Sequence, residues 1–173
     1  MSPPGSTFRG LASRLGDTRM DLSSLLIPGA VKVLSDVSSK KRLIQSISEI
    51  AETLVDVPAA RIFEALQDRE SLGPTSVGHG IALPHARLAE VEQVVGAFIR
   101  LERPIDFGAA DRQPVDLVFV LLAPLESGVD HLKALALVSR TLRHPALCAK
   151  LRANHDPATL YALLTESEAT QAA

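Results

Sequence analysis

His85 closes the segment Ser76-Val-Gly-His-Gly-Ile-Ala-Leu-Pro-His85, which continues as Ala86-Arg87-Leu88. Gly78 and Gly80 let the backbone bend and come close to a bound group. Pro84 holds Leu83 extended and has no N–H with which to continue a ladder. The histidine is therefore expected at the end of a short apolar strand, on a stiff and partly exposed turn, a placement that suits a nucleophile. A neutral imidazole, with an ordinary pKa of about 6.5, keeps one nitrogen lone pair free near pH 7. A lone histidine is more often a surface or structural residue than a reacting one, so this setting alone leaves both readings open.

Two other residues have side chains suited to an anion. His131 follows Asp130 at a predicted helix start, where unpaired N–H groups and the helix dipole favour negative charge. Position alone reads first as a solvated first-turn histidine. Arg69 carries a planar, permanently charged guanidinium that matches phosphate oxygens in a way lysine does not, although Asp68-Arg69-Glu70 taken alone is a solvated face. Gly78 and Gly80 could present N–H groups, but a Gly-x-Gly pair is more often just a turn. His79, His144 and His155 read as dispensable, the last two facing water at helix boundaries. Arg87 either meets an acidic partner surface or faces solvent. Lys40-Lys41-Arg42 stands at a helix start, against the dipole preference, and reads as solvated.

Other chemistries fail on spacing. No Gly-x-x-x-x-Gly-Lys-Ser/Thr and no His-Glu-x-x-His occurs, and Pro74 stands where a nucleophile elbow at Ser76 would need glycine. A metal-dependent hydrolase using His85, His131 and Asp116 is the rival from another class, but these positions follow no known ligand spacing. Neither a metal nor a cofactor is expected. Cys148 is the single cysteine, so an intramolecular disulfide is excluded. It falls in a predicted helix without a glycine-rich phosphate loop and reads as a small core filler.

Eighteen basic against twenty acidic residues give a net charge of −2, which leaves no electrostatic footprint for nucleic acid or an anionic membrane. No apolar run approaches the roughly 18 residues of a membrane span, and no secretory signal is evident, so a cytoplasmic protein is expected. A length of 173 residues and 46% hydrophobic content suit one domain with an aliphatic core. Residues 1–19, rich in Ser, Pro, Gly, Arg and Thr, read as a flexible extension; 20–165 form the domain; 166–173 read as a frayed tail.

The elements that must position these residues alternate in type. Val31–Leu34 predicts a strand. Ser38 or Ser39 can cap a helix with Leu43, Ile44, Ile47, Ile50, Ala51 and Leu54 at helical spacing. A second helix is predicted from near Asp56 and Pro58 to near Gly73, burying Ile62, Phe63 and Leu66 and carrying Arg69 in its last turn. Val94–Leu101 and Val115–Leu122 predict strands, the latter apolar throughout and hence central, ended by Pro124. Asp130 is expected to cap a helix burying Leu132, Leu135, Val138 and Leu142, with short helices after Pro145 and Pro157. The pattern predicts an α/β domain of three layers, a sheet flanked by helices.

The His85 segment resembles the active-site motif of EIIA proteins of the bacterial phosphoenolpyruvate phosphotransferase system, in the fructose/mannitol/nitrogen-regulatory family. The resemblance runs from about residue 21 to 165 and includes Ile62-Phe-Glu-Ala-Leu-Gln-Asp-Arg69-Glu-Ser-Leu-Gly73, Gln113-Pro-Val-Asp-Leu-Val-Phe-Val-Leu-Leu-Ala-Pro124 and Asp130-His131-Leu132. It implies a mixed sheet and a phosphoryl group carried on His85 as a tele-phosphohistidine, with His131 and Arg69 contacting the phosphate. A histidine phosphocarrier protein would be the donor. Regulated proteins or an EIIB domain would be the other partners. The nitrogen-regulatory branch is expected first, from the stand-alone domain, Ser39-Lys-Lys-Arg42 and Gly78–His85; a fructose- or mannitol-type EIIA feeding a sugar permease is the alternative, and a pure interaction module a third reading.

Overall fold

Asp21 begins the ordered sequence of elements in the computed structural model, which describes residues 20–172. The expected extension over 1–19 lies outside the described residues. The Asp21 carboxylate accepts the Ser24 N–H at 2.9 Å and caps a one-turn helix, α1 (Leu22–Leu25). A 3-10 turn over Pro28–Ala30 then delivers the chain to β1 (Val31–Leu34), the predicted strand. Ser39 caps α2 (Lys40–Val55), its Oγ accepting the Arg42 N–H at 3.1 Å. Leu43, Ile44, Ile47 and Ala51 are buried along one face of α2, as their spacing predicts. Asp56 ends α2 in the left-handed region, at φ 54°, so the next helix, α3 (Ala59–Glu70), starts only after Pro58.

Six strands form one mixed sheet. These are β1, β2 (Ser76–Gly78), β3 (Ile81–Ala82), β4 (His85–Leu88), β5 (Val95–Ile105) and β6 (Val115–Pro124). Their order is β1-β5-β6-β3-β2, with β4 also paired to β6. β5 runs antiparallel to β6 on one side, while β3 and β4 run parallel to it on the other. β6 is thus central, and every residue from Leu117 to Ala123 is buried, which accounts for its unbroken apolar run.

His85 does not sit where a strand gives way to a turn; it opens a strand. Pro84 has no N–H, but its carbonyl accepts the Leu121 N–H at 3.0 Å, and pairing resumes from His85 opposite Leu121 to Leu88 opposite Pro124. Proline interrupts the ladder for one donor without ending it.

The last three helices are α4 (Gly128–Thr141), α5 (Pro145–Arg152) and α6 (Pro157–Ala172). α4 begins two residues before Asp130, so Asp130 lies in its first turn and is not its cap. Its buried face is His131, Ala134, Leu137, Val138 and Thr141. Leu132, expected inside, is 62% exposed. The predicted short helix after Pro157 runs on through the expected tail to Ala172. Nothing after Pro157 breaks a helix, and Glu, Ala and Gln there are good helix formers. α2 and α3 pack on each other and on β5 and β4, while α1, α4, α5 and α6 form a second group reaching β5, β6 and β1. The sheet flanked by these two groups gives the expected three-layer α/β architecture.

Candidate functional site

The β2–β3 hairpin sets the approach to His85 through three consecutive residues with positive φ, Gly78, His79 and Gly80. At Gly80 a Cβ would lie 2.7 Å from Arg152 Nη2 and 3.1 Å from Asp116 Oδ1, so both its φ of +78° and the space demand glycine. The tip is tied down from outside. The His79 N–H donates to Asp111 Oδ2 at 3.0 Å, and the His79 carbonyl accepts from Arg152 Nη2 at 2.7 Å. Neither glycine lines the cavity at His85, so this pair serves the turn.

Side chains alternate along β4. Ala86 and Leu88 are buried, whereas His85 is half-buried and Arg87 exposed on the opposite face. His85 Nδ1 lies 2.8 Å from the Leu83 carbonyl, which can only accept. That bond places the ring proton on Nδ1 and leaves Nε2 with a free lone pair; Nε2 makes no hydrogen bond among the described residues. Burial holds the His85 pKa below its ordinary value; the Leu83 carbonyl pulls the other way, and Arg69 and Arg87 also disfavour the imidazolium while Glu70 favours it. The lowered pKa favours the neutral ring.

A cavity of about 530 Å³ opens over this ring and brings together His85, Arg69, Arg87 and His131, with Leu132 on its wall. The rings of His85 and His131 meet edge to face, 5.3 Å between centroids. Arg87 Nε donates to His131 Nδ1 at 3.1 Å, which makes Nδ1 an acceptor and puts the His131 proton on Nε2. That N–H is buried and has no partner among the described residues. Such an orphan donor costs on the order of 1–3 kcal/mol until an acceptor reaches it. Arg69 Nη1 donates to the Gly73 carbonyl at 3.1 Å, which orients the guanidinium at the end of α3.

Buried Glu70, next to Arg69, accepts an ion pair from Lys40 Nζ at 2.8 Å and hydrogen bonds from the Thr75 N–H, at 3.2 Å, and hydroxyl. Lys40 also lies 4.2 Å over the Phe107 ring. It is therefore no solvated charge: it fastens the start of α2 to the end of α3, and only Lys41 and Arg42 are exposed. His131, too, corrects its positional reading, since it is 4% exposed on the inner stripe of α4. Asp116, the third member of the rival metal set, is held bidentately by Arg152 at 2.9–3.1 Å and lies opposite Gly80. His85 pairs five residues further along β6, roughly 16 Å away at strand rise. The rival triad is not assembled. His79 lies at the hairpin tip, outside the cavity; His144 is exposed, and His155, also exposed, has Nδ1 2.9 Å from Arg100 Nη1. Cys148 is buried, its thiol donating to the Leu142 carbonyl.

His131 gives a pH signature. Its pKa is lowered to about 4, first by burial, then by neighbouring His85 and Arg87. The unfolded chain therefore takes up its proton first, near the ordinary 6.5. Stability supplied by neutral His131 is complete above that pH and is lost as pH falls towards 4, by roughly 3 kcal/mol. Unfolding free energy should fall more steeply across this window in the native protein than in His131→Gln. Parallel slopes would show that His131 titrates normally.

Comparison with known proteins places the chain in a family. Residues 24–167 match the family described as "Phosphoenolpyruvate-dependent sugar phosphotransferase system, EIIA 2". The chain is 45% identical over 153 residues to a nitrogen regulatory protein of Bradyrhizobium diazoefficiens, covering 88% of this chain and 100% of the relative. It is 41% identical over 155 residues to the nitrogen regulatory protein of Escherichia coli, covering 89% and 95% respectively. The crystal structure of nitrogen regulatory protein IIA-Ntr from Neisseria meningitidis superposes with a TM-score of 0.78 at 35% identity, covering 83% of this chain and 99% of that one.

Proposed function

The chain belongs to the EIIA 2 family of the phosphoenolpyruvate-dependent sugar phosphotransferase system, and we propose that it is a cytoplasmic phosphocarrier of the nitrogen-regulatory branch that takes a phosphoryl group on His85 Nε2. The hydrogen bond from His85 Nδ1–H to the Leu83 carbonyl carries this reading, because it leaves one defined nitrogen as nucleophile. The donor is a phosphohistidine on a small histidine phosphocarrier protein. Its P–N bond breaks as a P–Nε2 bond forms on His85, in line, and the Nδ1 proton stays where it is. Positive character develops on the ring, and the Leu83 carbonyl stabilises it. Arg69 and the buried N–H of His131 offset charge on the phosphoryl oxygens. Arg87 fixes the His131 tautomer and adds a cation to the cavity wall.

Regulation would act through the same surface. Leu132, 62% exposed, lines the cavity beside His85, so a partner that covers this leucine sits where the phosphate arrives. A phosphoryl group brings up to about two negative charges there, repelling an acidic or tightly packed partner while the sheet stays in place. Similarity to nitrogen regulatory proteins over nearly their whole lengths supports regulated proteins, before a sugar-specific EIIB, as those partners.

Reconstitution with phosphoenolpyruvate, enzyme I and the histidine phosphocarrier should yield one acid-labile phosphate per chain. Amide shifts on phosphorylation should cluster around β4, the end of α3 and the start of α4. No uptake from any phosphocarrier would sink the carrier role, and shifts spread along α2 would sink the local switch.

A further inference from the structure

A second cavity, of about 660 Å³, shares no residue with the one at His85. The β2–β3 hairpin, the last turn of α4 and the outer face of α5 enclose it. Its floor is apolar, made by buried Ile81, Leu142 and Cys148. Its polar groups are cationic or neutral: Arg143, Arg152, His79 and Ser139. This combination of size, apolar floor and a few polar groups is that of a small-molecule site.

The two arginines are differently engaged. Arg152 spends Nε and Nη2 on Asp116, and Nη2 also reaches the His79 carbonyl. Its Nη1 makes no hydrogen bond among the described residues, and Asp116 holds the guanidinium rigid. Arg143 is exposed at the rim, with neither an ion pair nor a hydrogen bond from its side chain among the described residues. Asp111, at the hairpin tip, accepts from the His79 and Gln113 N–H groups; it keeps its charge but does not line the cavity. Arg143 and the free Nη1 of Arg152 thus stand over an apolar floor.

We propose that this cavity binds a small amphipathic monoanion, a carboxylate with an aliphatic or aryl body. The carboxylate accepts from Arg143 and from Arg152 Nη1, in the planar manner guanidinium favours. The body covers Ile81, Leu142 and Cys148. Such a ligand would touch the hairpin whose chain leads through Leu83 and Pro84 to His85.

Octanoate and 3-phenylpropionate are the probes. Titrated into the ¹⁵N-labelled full chain, they should give saturable amide shifts over residues 77–81 and 139–149. Octanol, with the same body and no charge, should bind at least about tenfold more weakly, the worth of one charge-assisted hydrogen bond. Arg143→Gln should weaken octanoate to the level of octanol. Ala149→Phe, placed on an exposed wall residue so that its ring fills the space, should abolish binding while circular dichroism stays native. Shifts that never saturate, octanol binding as tightly as octanoate, or octanoate shifts confined to residues 85–88 would each overturn the assignment. None of these readouts requires phosphate on His85, so failure here and failure of the carrier role are distinguishable.

Discussion

His85→Ala should retain its fold and take up no acid-labile phosphate from the histidine phosphocarrier. The loss should be total, because in the proposed reaction the side chain removed supplies the atom that bonds to phosphorus. His131 cannot stand in. Its Nδ1 accepts from Arg87 and its Nε2 carries the proton, so neither nitrogen offers a lone pair to phosphorus. The stability cost should be modest: His85 is half-buried, and its one hydrogen bond, to Leu83, spans only two residues. In the native protein, ³¹P–¹⁵N coupling should place the phosphorus on Nε2, since Nδ1 donates to Leu83. A stoichiometric phosphohistidine in His85→Ala would falsify the acceptor assignment, and phosphorus on Nδ1 would overturn the role given to the Leu83 carbonyl.

Much of the framework around this histidine is legible in the sequence. The stripe from Leu43 to Ala51, the Ser39 cap and the unbroken run of β6 each carry a period or a composition that admits one element. The phase of α4 does not. Leu132, Leu135, Val138 and Leu142 make an apolar stripe about as good as the true one, His131, Ala134, Leu137, Val138 and Thr141, and hydropathy alone favours leucine over histidine. Turning the helix to bury His131 leaves Leu132 outside, at the cavity. Arg87 was within reach of simple alternation, two residues after His85, once Pro84 is seen to keep its carbonyl in the ladder. Pairs such as Lys40 with Glu70, or Asp116 with Arg152, join residues thirty or more positions apart. No local pattern encodes them; only the assembled sheet brings them together.

Arg69→Ala and His131→Ala should each slow phosphoryl transfer by roughly 10²- to 10³-fold without preventing it, as loss of one preorganised donor does at an oxyanion site. Neither residue bonds to phosphorus in this scheme. Arg69 supplies a fixed cation, oriented by the Gly73 carbonyl at the end of a helix that Lys40, Glu70 and Thr75 pin in place. In the same scheme His131 supplies one buried N–H, without an acceptor among the described residues, so its contribution is greater with the phosphoryl group present than without it. The two variants should therefore differ in kind. Arg69→Lys keeps the charge and loses the planar fork, and should recover only part of the rate. His131→Gln keeps an N–H donor and should recover more than His131→Ala, whereas Arg87→Gln, which removes the bond fixing the His131 tautomer, should slow transfer and raise the His131 pKa from about 4. Single-turnover transfer from the phosphorylated donor, measured on variants with native circular dichroism, decides the matter. Unchanged rates in both folded alanine variants would leave His85 reacting without assistance from its neighbours and would sink the roles assigned to Arg69 and His131.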